Sequence, residues 1–336
     1  MSQHYRFDPV SVETTIDTMD LEHLESYLTQ PGKWLIADRV LLDLYPRLFA
    51  EVPTEHILFL EAGEEAKTKA QLLVVYHWML ENQVHRNAEI IVLGGGTVTD
   101  LAAYAVATFK RGCRLSLIPT TLIGMVDAAI GGKTGVNLEG YKNLLGCFYP
   151  ASRVIITPEF LQSLSQEELR QGWAEILKMY LLSPGLQLGQ IPVDLTPSVE
   201  LIVQCMDMKM NWCIHDLEDR KERRWLNLGH SFAHALETSS GYRIKHGDAV
   251  LMGIRLAAKL SLKLKLIDPD TASRIESTLG MLSLSLPQAD PDLSHLIAIM
   301  LHDKKNTDDI NLVLFTGWQE VDVVTVSPAD LKSCLS

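Results

Sequence analysis

Two histidines lie four residues apart in the segment LNLGHSFAHALE, His230 and His234. On a helix they occupy one face, one turn apart. That spacing suits half of a metal site, a general acid/base pair, or two packed histidines, and does not by itself choose among them. The segment is not H-E-x-x-H, because Ser231 follows His230. Other ligand types occur nearby. GWAEILKMY places Glu175 and Lys178 three apart on one helix face, and KHGDAV places His246 at the start of another helix. A catalytic zinc usually takes three protein ligands and keeps one open position. Taken singly, each signal has a plainer reading: a lone histidine is commonly a packed one, and Glu175 with Lys178 makes an ordinary helix salt bridge. The weight lies in their co-occurrence with two glycine-rich segments.

The first of these is EIIVLGGGTVTDLAAY, which sets Gly94, Gly95 and Gly96 between a strand and a helix. Glycines allow close backbone approach to a phosphate, and the helix N-terminus adds amide donors and a favourable dipole. The pattern is neither G-x-G-x-x-G nor a P-loop. It reads as a tight turn or as a pyrophosphate cradle with Asp100 on a cofactor group. The second is MVDAAIGGKTGVNLEGYKNLLG, residues 125–146, which is apolar and glycine-rich yet holds Asp127, Lys133, Asn137, Lys142 and Asn143. Read as a loop with cationic and amide tips, it suits a phosphate or carboxylate.

The elements that must position these groups alternate in the first half. KWLIA, HILFLE, EIIVL, RLSLIP and RVIIT read as strands. RVLLDLYPRLFAEV, EEAKTKAQLLVVYHWMLENQV and LAAYAVATF read as helices between them. Strand–helix alternation predicts a parallel α/β sheet. Beyond about Glu159 five helical patterns follow, interrupted by one hairpin over residues 311–326. The fold class is therefore α/β, with an N-terminal parallel-sheet nucleotide-binding domain over residues 1–158 and a mainly α-helical metal- and substrate-binding domain over residues 159–336. This arrangement predicts a ligand cleft between the two. Of 336 residues 47% are hydrophobic and the net charge is −12, which disfavours nucleic acid as a partner. Five cysteines without C-x-x-C suggest neither a disulfide framework nor a cysteine zinc site. The first residues, MSQHYRFDPV, show no signal pattern and no apolar run is membrane-length. A cytoplasmic setting is expected.

GGGTVTDLAAYAVATFKRG, IPTTLIGMVDAAIGGKTGVN, YKNLLGCFYP, WAEILK, LNLGHSFAHALE and KHGDAV, in that order, resemble the 3-dehydroquinate synthase family of sugar-phosphate cyclases, over roughly residues 35 to 320. The resemblance implies a dehydroquinate synthase-like fold and carries roles residue by residue. Glu175, His230 and His246 would ligate the metal, zinc or alternatively cobalt. His234 would point into the substrate pocket. Substrate would be held by Asp127, Lys133, Lys142, Asn143, Lys178, Lys209, Arg223, Asn227 and one lysine of DKKNTDD, Lys304 rather than Lys305. NAD would be held by Asp38, Glu64, Lys67, Gly94, Gly95, Asp100, Thr120, Thr121, Ser163 and Leu164. Arg111 would enter a partner subunit's site, which implies a homodimer. The chain departs from the family pattern at Val40, where asparagine is usual, at Thr99, where glycine is usual, and at Ser163, where threonine is common; all three bear on NAD affinity.

The reaction implied by the resemblance starts from 3-deoxy-D-arabino-heptulosonate 7-phosphate. Oxidation at C5 acidifies the C6 hydrogen, phosphate leaves by β-elimination, C5 is reduced again, and the ring opens and recloses as a carbocycle. NAD is regenerated within each turnover, and a metal polarises the C5 hydroxyl. A substrate with both carboxylate and phosphate needs two cationic subsites. Lys209 and Arg223 fit the carboxylate, and Lys133, Lys142 and Asn143 fit the phosphate. Cyclases acting on neutral-headed sugar phosphates, namely 2-deoxy-scyllo-inosose and 2-epi-5-epi-valiolone synthases, do not need the first pair. Metal-dependent polyol dehydrogenases of the same fold do not need the lysine cluster. A non-catalytic relative would have lost ligands that are intact here.

Overall fold

A computed structural model of the chain describes residues 2–7, 12–139, 141–282, 292–301 and 309–335. Two compact units emerge, Met1–Leu169 with Met206–Glu218, and Arg170–Cys205 with Asp219–Ser336.

The first unit is built on a seven-stranded sheet. In chain order its elements are β1 (Ser2–Phe7), β2 (Val12–Thr18), α1 (Leu21–Leu28), β3 (Lys33–Asp38), α2 (Val40–Leu44), β4 (Ile57–Leu60), α3 (Lys69–Glu81), β5 (Glu89–Gly94), α4 (Gly96–Thr108), β6 (Arg114–Pro119), β7 (Lys133–Leu138), β8 (Tyr141–Phe148) and β9 (Arg153–Ile156). The sheet runs β1-β2-β9-β6-β5-β3-β4, and every pairing is parallel except β1 with β2. Its middle strands are continuous apolar runs, with Leu35 to Ala37 and Ile90 to Leu93 fully buried, as a sheet covered on both faces requires. The register pairs Ala37 with Leu93 and Gly94 with Pro119. Asp38, the glycine turn and Thr120 therefore share the carboxyl edge, where open parallel sheets bind ligands.

Three expectations change. RVLLDLYPRLFAEV does not form one helix: α2 stops at Leu44, and a separate 3-10 turn runs Pro46–Phe49, because proline cannot continue the hydrogen-bond ladder. The helix expected from Glu64 begins only at Lys69, where the Thr68 hydroxyl caps the Gln71 amide at 3.3 Å; Glu64–Ala66 is an isolated turn. Most of the expected loop over 125–146 is the antiparallel hairpin β7–β8, preceded by a π-helical turn Gly124–Ala128. Its glycines serve strand contact, since a Cβ on Gly146 would sit 2.6 Å from the Thr134 carbonyl oxygen.

The second unit is mainly helical. It follows α5 (Gln166–Leu182) and α6 (Val199–His215) with α7 (His230–Ser239), α8 (His246–Lys263), α9 (Pro269–Leu279) and α10 (Leu293–Leu301). The hairpin β10 (Ile310–Gly317) and β11 (Glu320–Val326) and then α11 (Pro328–Leu335) complete it. The later part of α6, which bears Lys209, groups with the first unit. Helices α7 and α8 approach through glycine. Gly229, which caps α7 at φ +77, has no room for a Cβ beside the Val250 carbonyl, and a Cβ on Gly253 would lie 2.1 Å from the Gly229 oxygen. No helix among the described residues is long and apolar enough to cross a membrane.

Candidate active site

Three helices of the second unit converge on one group of side chains. Helix α5 contributes Glu175 and Lys178, α7 contributes His230, and α8 opens on His246. Glu175 is fully buried, and its Oε2 lies 2.6 Å from the equally buried Lys178 Nζ. Its Oε1 lies 3.7 Å from His230 Nε2 and 3.3 Å from His246 Nε2. One ligand atom from each of Glu175, His230 and His246 falls within 4.8 Å of the others, and this is the only such group among the described residues.

The far side of each ring explains its orientation. His230 Nδ1 is 3.2 Å from the Leu228 carbonyl, and His246 Nδ1 is 3.3 Å from Glu237 Oε1. Both partners only accept, so each Nδ1 carries a proton and each Nε2 is turned toward Glu175. Gln171, one turn before Glu175, holds the start of α8. Its Oε1 accepts from the Gly247 and Asp248 amides at 2.6 and 3.3 Å, and its Nε2 donates to Asp248 at 3.1 Å. A carboxylate and two imidazoles form a donor set that fits zinc and leaves a fourth position open.

The two imidazoles differ electrically. Burial, assisted by the nearby Lys178 charge, pushes His230 down to about 3, so it is neutral. Burial also opposes charge on His246, but hydrogen bonds to Glu175 and Glu237 and their negative charges outweigh it and raise it to about 10. His234 lies one turn from His230, ring centroids 5.7 Å apart, and is not one of the three converging groups. Thus the two histidines of the starting segment occupy different surroundings.

The first unit holds a second constellation. At the end of β5 a Cβ on Gly94 would meet Val98 Cβ at 2.8 Å, and one on Gly95 would meet Thr121 Cγ2 at 3.1 Å, so neither position has room for a side chain. Gly95 caps α4 with no side-chain bond, which leaves the first amides of the helix available to an anion. Asp38 is buried beside this turn, its Oδ1 accepting from Val40 N at 3.2 Å, and burial raises its pKa. Thr120 N donates to the Gly94 carbonyl at 3.0 Å, and Thr121 Oγ1 accepts from Gly124 N at 3.1 Å.

Glu64, Lys67, Asp100 and Asn143 share one network. Buried Lys67 Nζ donates to Asp100 Oδ2 and to Asn143 Oδ1, both at 2.6 Å. Burial pushes the Asp100 carboxyl up, and the Lys67 charge opposes that rise. Asn137 closes the network, its Nδ2 donating to Glu64 Oε1 at 2.7 Å and its Oδ1 accepting from Asn143 N at 2.9 Å. Lys209 Nζ donates to the Asp127 carbonyl and carboxylate at 2.7 and 2.8 Å.

The remaining expected site residues are distributed as follows. Lys133 and Lys142 stand on β7 and β8, exposed and half-buried. Arg223 is fully buried and belongs to the second unit, whereas Lys209 belongs to the first. Asn227 Nδ2 donates to Asp219 at 3.3 Å. Ser163 bonds the Phe160 carbonyl at 2.8 Å, and Leu164 follows it at the end of the same turn. Arg111 is exposed at φ +64. Lys304 and Lys305 lie outside the described residues. Sequence reasoning passed over Glu237 and Gln171. Glu237 was legible at i+7 from His230, and Gln171 at i−4 from Glu175, by extending each helical face. Asn137, one of the amide groups expected at a loop tip, instead binds Glu64 and the Asn143 amide.

Residues 57–171 match the family model "3-dehydroquinate synthase N-terminal" and residues 172–306 match "3-dehydroquinate synthase C-terminal". The 3-dehydroquinate synthase of Legionella pneumophila (strain Corby) is 36% identical over 302 residues, 85% of this chain and 81% of that protein. That of Cereibacter sphaeroides (strain ATCC 17029 / ATH 2.4.9) is 32% identical over 328 residues, 92% and 89%. Among solved structures, a 2-deoxy-scyllo-inosose synthase complexed with carbaglucose-6-phosphate, NAD+ and Co2+ superposes with TM-score 0.88 at 22% identity, covering 100% of this chain and 99% of its own. A 2-epi-5-epi-valiolone synthase from Streptomyces hygroscopicus subsp. jinggangensis 5008, with NAD+ and Zn2+ bound, gives 0.82 at 26%, covering 99% and 98%. An iron-containing alcohol dehydrogenase gives only 0.61 at 14%, covering 99% and 98%. With both halves matched in order and relatives above 30% identity along most of its length, the chain belongs to the 3-dehydroquinate synthase family.

Proposed function

We propose that this chain is a 3-dehydroquinate synthase that uses NAD and a divalent metal to convert 3-deoxy-D-arabino-heptulosonate 7-phosphate into 3-dehydroquinate and phosphate. The observation that carries the reading is the buried Glu175–His230–His246 triad with Lys178 on its carboxylate, in a chain that matches the family in both halves. When bound, NAD takes and returns the C5 hydride while the metal polarises the C5 hydroxyl.

The residues of the chain divide the remaining work. Glu175, His230 and His246 hold the metal. Lys178, out of water on Glu175, keeps a positive charge beside the reacting oxygen, where a low dielectric strengthens it. His234, one turn from a metal ligand, moves a proton at the substrate. Lys133, Lys142 and Asn143 hold the phosphate that leaves with the C6 hydrogen. Lys209 and Arg223 take the carboxylate, and Asn227 another polar group of the substrate. Lys209 uses two of its three donors on Asp127, which leaves the third for a ligand. On the cofactor side, Gly94 and Gly95 cradle the pyrophosphate. Asp38 takes the ribose, and Glu64, Lys67, Asp100, Thr120, Thr121, Ser163 and Leu164 complete the site.

A homodimer is part of the proposal, with Arg111 reaching the partner's site. Its support is the apolar face of α3, where Leu73, Val74 and Leu80 are exposed. That helix and the residues that follow it adjoin the region of the Arg111 turn through the Tyr76–Thr108 bond of 2.5 Å and the Lys110 bond to the Val84 carbonyl of 2.7 Å. The cytoplasm is the proposed setting, supported by five free thiols.

The test is a phosphate-release assay on the purified protein with the heptulosonate phosphate, NAD and zinc, its product coupled to dehydroquinate dehydratase. Phosphate and dehydroquinate should appear together. Zinc and NAD bound without phosphate release would overturn the substrate assignment and direct the search to other sugar phosphates, then to polyols.

A further inference from the structure

Glu237 is buried, on a helix whose other buried residues, Phe232, Ala233, Ala235 and Leu236, are all apolar. A carboxylate in such a place is costly unless it is paired. Its Oε1 lies 3.3 Å from Nδ1 of His246. The equivalent nitrogen of His230 faces only a main-chain carbonyl, that of Leu228. The two imidazoles of the triad thus have unlike supports, one neutral and fixed by the backbone, the other charged and supplied by a side chain.

We infer that Glu237 is a positioning residue for the metal centre, which holds His246 by Nδ1, commits its Nε2 to the ion and lends the site a second negative charge. The inference rests on the metal role proposed above for Glu175, His230 and His246. Two physical consequences follow. A carboxylate acceptor on Nδ1 makes the imidazole a stronger donor at Nε2 than a neutral acceptor does. The ring of His246 is also the more exposed of the two, 35% against 13% for His230, so it has more need of an anchor. Gln171 fixes the backbone at the start of α8 through the Gly247 amide, but it does not set the rotation of the His246 ring. That leaves the rotation to side-chain partners such as Glu237.

Glu237→Gln keeps an acceptor for the Nδ1 proton and removes the charge; Glu237→Met removes both. Zinc affinity of the metal-stripped proteins is read by competition with a chromophoric chelator. Melting of the stripped forms checks that each variant is folded. The expected result is a loss of about ten-fold for Glu237→Gln and nearer a hundred-fold for Glu237→Met, the range typical of outer partners of a ligating histidine. A purely structural role would lower melting without this graded loss. Zinc affinity within two-fold of wild type in both folded variants would overturn the inference and leave the triad standing. Failure of the unsubstituted protein to take up zinc would instead overturn the metal reading itself. Should neither variant fold, 15N-labelled histidine in the zinc-loaded unsubstituted protein decides. A protonated Nδ1 and a zinc-bound Nε2 at His246 are expected, and zinc at Nδ1 would overturn the inference.

Discussion

The two constellations are built from different materials. In the second unit Glu175, His230 and His246 stand on three helices, and glycines at 229 and 253 bring α7 and α8 together so closely that no side chain separates them. Each imidazole is held on its far nitrogen before any ion arrives. In the first unit the proposed cofactor residues gather around a glycine turn, a hairpin and the ends of helices. Its cations are already in use: Lys67 between Asp100 and Asn143, Lys209 on Asp127. The contrast is between a site rigid enough to fix coordination geometry and one whose polar contacts can be exchanged for those of a ligand. The proposed roles, a metal that stays and ligands that come and go, would suit those two designs.

The largest expected effects lie on the helical side. His230→Ala should lose zinc and activity together, because two ligands do not hold the ion. His234→Ala should keep a full complement of zinc and lose rate by about 10²- to 10⁴-fold, the usual worth of a positioned acid or base. Metal analysis beside turnover separates them, and equal zinc loss in both would erase the distinction. Next in size is Gly253→Ala. The added carbon would sit 2.1 Å from the Gly229 carbonyl, next to His230, and should cost about 3 kcal/mol in denaturant unfolding. An unchanged midpoint would mean that α7 and α8 yield more easily than their packing indicates.

On the exchangeable side Lys67→Met should weaken NAD by about ten-fold, in line with the loss of a charge-assisted bond. Asn143→Ala should weaken it less, by relaxing Lys67. Calorimetric titration with NAD checks both, and an Asn143 effect larger than that of Lys67 would reverse their order.

The smallest effect is that of pH. In the metal-free protein His246 is raised from 6.5 to about 10, so the folded state holds a proton that the unfolded state releases. Its stabilising contribution is complete below 6.5 and is lost as pH rises toward 10. Zinc needs the neutral ring, so its affinity grows over the same interval. The melting temperature of stripped protein should therefore fall by a few degrees between about pH 7 and about pH 9 while the increment added by zinc increases. An increment that shrinks would contradict the coupling.

Much of this was legible in the sequence, for identifiable reasons. Parallel strands buried on both faces leave unbroken apolar runs such as EIIVL and RLSLIP, and both strands lie where those runs predict. By residue type Glu175, His230 and His246 were candidates no stronger than Lys178 or His234, and only the family resemblance singled them out as ligands. Their convergence was not legible, since it depends on helix packing that no local pattern encodes. The hairpin β7–β8 was hidden because its glycines imitate a loop. The hairpin β1–β2 and helix α9 were not anticipated at all. SQHYRF is mostly polar, and the apolar content of α9 is too small to register beside its neighbours. Lys67 was expected to serve the cofactor, but its second bond, to a residue 76 positions away, is a product of the tertiary fold alone.

Oxidation and reduction should close within one turnover. The most direct measurement follows released phosphate and near-ultraviolet nicotinamide absorbance together, with the heptulosonate phosphate in large excess over enzyme and NAD. Many equivalents of phosphate per enzyme are expected, matched by dehydroquinate, with no net accumulation of NADH. Activity should also disappear on chelation and return with zinc. NADH rising in step with consumed substrate would contradict that closure and make the protein a dehydrogenase.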